Sequence, residues 1–132
     1  MSRYFHIIID KHQEMSELTN QATKSESVSL ENKNYRLPEQ KTMENACKIS
    51  LTEDKPIMMD YWASSIDNTS IIGVQEDDKK MLIKSDQEYT SYIDKVYQIA
   101  NQDKSIIDYI IKTENSIYLV SGSINTKRVT MN

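Results

Sequence analysis

Asp60 is the residue in this chain with the clearest chemical potential, because the stretch Ile57-Met58-Met59-Asp60-Tyr61-Trp62 reads as a strand with two largely apolar faces. A carboxylate in such a strand must be hydrogen-bonded, paired or shifted in pKa. Groups of that kind serve as general acids or bases when a second group converges on them. The other candidates are His6, inside the apolar run Tyr4 to Ile9, and Cys47, on the expected inner face of a helix. A catalytic thiol needs a base beside it and an electropositive, accessible setting. An enzyme built from these residues would have to gather Asp60, His6 and Cys47 from dispersed positions into one pocket. The simpler reading makes Asp60 a tie between strand and turn, Cys47 a small core residue and His6 a partly buried histidine. The balance is against catalysis.

Metal and cofactor chemistry fare no better. His6, Asp10, His12 and Glu14 are of ligating types, but no second cluster completes the four ligands of a closed zinc site. Two glycines cannot build a phosphate-cradling loop, a nucleotide fingerprint or a nucleophile elbow. The sequence therefore predicts no metal and no cofactor. Asn68-Thr69-Ser70 matches a glycosylation sequon, but the short run Tyr4 to Ile9 is no secretion signal.

Aromatic side chains are the stronger resource, with eight tyrosines and one tryptophan. Tyr61, Trp62, Tyr89 and Tyr92 could form an exposed patch for a partner, since such side chains are enriched at interfaces. At strand spacing they could equally be core residues or cross-strand pairs. The leading expectation is a non-catalytic protein that binds another protein or a second copy of itself.

Composition bounds the remaining classes. The 132 residues suit a single domain, and 38% hydrophobic content suffices for a core. The net charge of −4 comes from interspersed signs, with basic runs no longer than Lys79-Lys80 and Lys127-Arg128. Nucleic-acid binding needs clustered cations and is not expected. No segment is long and apolar enough to span a bilayer, and a lone cysteine fits a reducing, cytoplasmic setting.

These residues are carried by an expected α+β fold, a mostly antiparallel sheet with one amphipathic helix packed on it. Strands are predicted at 4–9, 28–30, 35–37, 57–62, 70–74, 81–83, about 92–99, 106–111 and 117–120. The strand at 57–62 is expected in the sheet centre. The helix should run from Pro38 to about Thr52, with Met43, Ala46, Cys47, Ile49 and Leu51 as its apolar stripe. A capping-box pattern, Ser85-Asp86-Gln87-Glu88, predicts a helical turn at 85–89. Residues 10–26 and 122–132 read as loose polar segments.

Two resemblances follow. Asp54-Lys55-Pro56-Ile57-Met58-Met59-Asp60-Tyr61-Trp62-Ala63 resembles the strand that leads into the thioredoxin active site, but Ser64-Ser65 stands where the cysteine motif would begin. That implies at most a redox-inactive relative. Lys55 to Trp62, Glu88 to Ser91 and Thr113 to Tyr118 resemble small uncharacterised proteins of large nucleocytoplasmic DNA viruses. This resemblance implies a setting, host cytoplasm or virion, and no catalytic residue.

Overall fold

Two adjacent strands that are apolar on both faces must be covered on both sides, and this requirement organises the fold. The computed structural model describes residues 35–130. From Arg36 onward the chain forms one compact unit. Helix α1 (Gln40–Glu53) is followed by β1 (Ile57–Met58), a short helix α2 (Trp62–Ile66), β2 (Ile71–Val74) and β3 (Lys80–Ile83). Then come β4 (Ile93–Ala100), β5 (Ile107–Thr113), β6 (Ile117–Ser121) and β7 (Asn125–Arg128). The class is α+β. One sheet has the order β1-β6-β5-β4 and the other β3-β2-β7.

The central strands β5 and β6 form an antiparallel hairpin with Ile110 opposite Leu119 and Ile111 opposite Tyr118. Ile110, Ile117 and Leu119 pack with Ala46 of α1 and with Trp62 on one face. Ile111 and Val120 pack with Ile72, Leu82, Tyr61 and Ile124 on the other. This unit is thus layered: helix, four-stranded sheet, three-stranded sheet. Each fully buried Ile, Leu or Val contributes about 1.5–3 kcal/mol by leaving water.

α1 turns Thr42 and Ala46 towards the sheet, with Met43 and Ile49 at the margins. Cys47 and Leu51 are exposed, the latter 75% so. At 3.6 residues per turn they lie roughly 100° and 140° from a face centred on Ala46, outside the apolar arc. Cys47 is therefore not the inner-face residue that the apolar count implied. The helix starts later than Pro38 because Glu39 is held extended as its N-cap. It ends at Asp54, whose left-handed backbone returns an N–H to the Ser50 carbonyl, before Pro56.

Four further departures from the sequence reading have local causes. The segment 57–62 is a two-residue edge strand, not a central one, pairing in parallel with Ile117 and Tyr118. Beyond it the chain turns, with Trp62 N–H bonding the Met59 carbonyl, and passes into α2. Residues 35–37 form no strand. The capping-box pattern at 85–88 makes no helix; the Ser85 hydroxyl instead accepts from the N–H groups of Gln87 and Glu88 in a bend. Finally, 122–128 is not loose: β7 pairs in parallel with β2, and Ile124 is buried. The strands expected at 4–9 and 28–30, and the segment 10–26, lie outside the described residues. The β2–β3 and β5–β6 hairpins form where the sequence placed them.

Gly122 makes the crossing from β6 to β7 possible. Its N–H donates to the Ile107 carbonyl at 2.7 Å, and a Cβ there would stand 2.6 Å from that oxygen and 2.8 Å from the Ile107 Cβ. At Gly73 a Cβ would meet chiefly the movable tip of Ile83. Gly122→Ala should therefore cost about 1–3 kcal/mol and Gly73→Ala clearly less, read as denaturation midpoints in urea.

Candidate functional site

Of the residues that the sequence offered for chemistry, the structure keeps Asp60 and Cys47 apart. Asp60 is exposed in the turn before α2, and its charge acts on Tyr61 and Tyr118, towards the three-stranded sheet. Cys47 is exposed on α1, in the layer on the opposite side of the four-stranded sheet. Asp60 is not the strand-buried carboxylate that its neighbours implied, because the strand ends at Met58. His6 lies outside the described residues, as do Asp10, His12 and Glu14. Among the described residues no group of three or more His, Cys, Asp or Glu could hold a metal ion. Among them, too, no helix is long and apolar enough to cross a membrane.

The buried carboxylate is Asp108, on β5, with no exposure to solvent. Its Oδ1 accepts from Arg36 Nη2 at 2.6 Å. Its Oδ2 accepts from the Glu39 N–H at 2.9 Å and from the Thr42 hydroxyl at 2.7 Å. A carboxylate at a helix start satisfies N–H groups that the helix leaves open and meets the positive end of its dipole. Here that carboxylate comes from the sheet. Arg36 in turn stacks 5.0 Å from the centre of the Trp62 ring, while Trp62 Nε1 donates to the Arg36 carbonyl at 2.7 Å. With both oxygens committed to protein donors, Asp108 is a structural tie and not a base.

The four aromatic candidates divide. Tyr61 is 2% exposed and Trp62 5%, which places both in the core and removes them from any surface. They enter opposite cores from adjacent positions because the chain turns around the sheet end at this point. Burial, with Glu88 and Asp60 adding negative charge, holds the Tyr61 phenol protonated well above its ordinary range. The Tyr118 ring meets Tyr61 edge-on at 5.4 Å, and its phenol is also raised, first by burial and then by Asp60, against a lowering hydrogen bond with Ser116.

Tyr89 and Tyr92 remain outside, 51% and 44% exposed, and lead into β4, where Val96 is 41% exposed. Among the described residues β4 ends the four-stranded sheet on one side, paired only with β5. It comes close to β3, the corresponding edge of the other sheet. Between them opens a groove of about 540 Å³, lined by Asp78, Lys79 and Lys80 on one wall and residues 92–96 on the other. Lys79 Nζ lies 4.9 Å from the centre of the Tyr92 ring. Asp78 is paired with Arg128 at 3.1 Å, and Asp94 with Lys112 at 3.2 Å. The Lys112 ammonium is held above its ordinary pKa, chiefly by Asp94 and, beyond burial's opposing effect, by Glu53.

The sequence reading did not single out Val96, Lys79, Lys80 or Lys95 as site residues. The available signal was Asp94-Lys95, charges on both faces of an otherwise β-forming stretch, which mark an edge strand. Compared with protein-family models, curated proteins and solved structures, the chain matches none.

Three substitutions test the buried groups. Asp108→Asn turns one acceptor edge into a donor that faces donors, and should cost about 3–5 kcal/mol. Thr42→Val removes one of three bonds and should cost about 2 kcal/mol; urea unfolding at constant m-value checks both. The raised Tyr61 phenol means that the folded chain holds its proton more tightly than the unfolded chain. That stability is complete below about pH 10, the ordinary tyrosine value, and is lost as alkali rises beyond it. Tyr61→Phe should move alkaline unfolding to higher pH, and ultraviolet titration should show one late-ionising phenolate fewer.

Proposed function

We propose that this protein is a non-catalytic interaction module that binds a partner protein through residues 89–96 and the adjoining edge of β4. The observation that carries this reading is the exposure of Tyr89, Tyr92 and Val96 within one short stretch that runs into a strand at the edge of its sheet among the described residues. Exposed aromatic and aliphatic side chains gain when a partner removes them from water, and tyrosine brings a hydroxyl that keeps the rim polar. The Tyr92 hydroxyl already meets the Gln75 side chain at 3.3 Å, which steadies the ring. Two of the suspects in the rival reading, an enzyme with a dispersed site, are exposed in separate layers of the molecule. The redox-inactive thioredoxin reading calls for a parallel central sheet, whereas β5 pairs antiparallel with both its neighbours. The resemblance to proteins of large DNA viruses puts the partner in host cytoplasm or the virion.

Affinity capture of the tagged full-length chain from its native cell, at moderate salt, should yield a stoichiometric partner. Tyr92→Ala with Val96→Ala should cut capture about tenfold or more, as loss of a central anchor does, while the thermal midpoint stays in place. Absence of any stoichiometric partner would overturn this reading.

A further inference from the structure

The β3–β4 groove has features that specify what kind of partner segment it takes, granted the interaction reading above. After a bulge between Ile93 and Lys95, β4 pairs with β5 in regular register from Lys95 to Ala100. An edge strand of this kind directs alternate N–H and C=O groups away from its sheet, which is the template for strand addition. The groove beside it supplies room for side chains of an added strand, with Val96 and Tyr92 as apolar contacts.

Charge selects the occupant. Both groove carboxylates are already paired, Asp78 with Arg128 and Asp94 with Lys112. Lys79, Lys80 and Lys95 have no carboxylate in ion-pair reach among the described residues. Lys79 and Lys95 instead lie over the rings of Tyr92 and Tyr97, each at 4.9 Å. An incoming acidic side chain would therefore meet unpaired ammonium groups rather than displace an existing ion pair. A second copy of the chain, edge to edge, would bring the same lysines towards one another, and the bulge at Asp94 further hinders symmetric pairing.

We infer that the β4 edge and the Lys79-Lys80 wall form a docking site for an extended, acidic segment of a partner protein, which adds to the sheet as a strand beside β4. Backbone pairing would supply affinity, and the lysines the preference for Asp and Glu.

The test uses the full-length chain and a capped eight-residue peptide of alternating glutamate and valine, with two controls. One control replaces each glutamate by lysine, and the other is N-methylated at alternate amides. The expected result is saturable binding of the first peptide, increased hydrogen-exchange protection within Lys95–Ala100, and at least about tenfold loss for both controls. Lys79→Glu with Lys80→Glu, on the exposed wall, should weaken binding about tenfold or more and reduce its salt dependence. No binding up to about 1 mM, equal binding of the lysine peptide, or binding without protection at β4 would each overturn the inference. Concentration-dependent self-association protecting the same amides would also overturn it, assigning the edge to a second copy. Capture from the native cell separates the two readings. A partner retained by the Lys79→Glu, Lys80→Glu chain but lost with Tyr92→Ala, Val96→Ala leaves the interaction module standing and removes only the acidic-strand mode.

Discussion

The carboxylate of Asp108 is the point to which the helix layer is tied. It holds Arg36, the Glu39 N–H and the Thr42 hydroxyl at once, so one side chain of β5 sets where α1 begins and against which strand it rests. A buried charge is tolerable only when its partners are complete, and here the chain before the helix supplies them. The indole of Trp62 closes the arrangement from the other side, stacked on the Arg36 guanidinium and bonded to the Arg36 carbonyl. Trp62 is thus a structural residue for two reasons, packing and polar satisfaction, and neither leaves it free for a partner.

With α1 fixed on one face of β5 and β6, the other face requires a second cover. The chain provides it by sending β2, β3 and β7 into a separate sheet. The return from β6 passes so near Ile107 that only glycine fits at position 122. Ile124 then plugs the core between the sheets, and β7 seals the far edge of β2 in parallel register. This parallel pairing closes a long excursion, in which the chain leaves β2 through β3 of the same sheet and returns to β7 only after β4, β5 and β6 of the other.

Such a layered arrangement leaves edges, and their treatment differs. β1 is only two residues long, and α2 lies against β6 nearby, with the Ser65 hydroxyl accepting from the Ser121 N–H. The C-terminal part of β3 is bridged by Tyr89, and the Thr90 N–H bonds the Leu82 carbonyl. β4 is eight residues long and carries Asp94 and Lys95, a bulge and the exposed Val96, with the exposed Tyr92 just before it. Surface of this composition is discouraged from pairing with itself yet remains available to a strand of opposite charge.

Much of this was legible in local pattern. Ile117 to Val120 is a continuous apolar run and Ile106 to Ile111 is broken only by Asp108, and a run without alternation states that both faces are covered. The hairpin joining them, the β2–β3 hairpin and the α+β class follow from the same local information. The carboxylate argument was sound but belonged to another residue. Asp108 also stands inside an apolar run, and unlike Asp60 it stays in its strand to the end. Local pattern determined which segments are strands, which helix is amphipathic and that some buried acid required partners. Only the tertiary structure decided which acid, which aromatics turn inward and which strand of the described residues stands at the sheet edge. Those outcomes depend on where the chain turns and what packs over it, contacts between residues far apart in sequence that no local periodicity encodes.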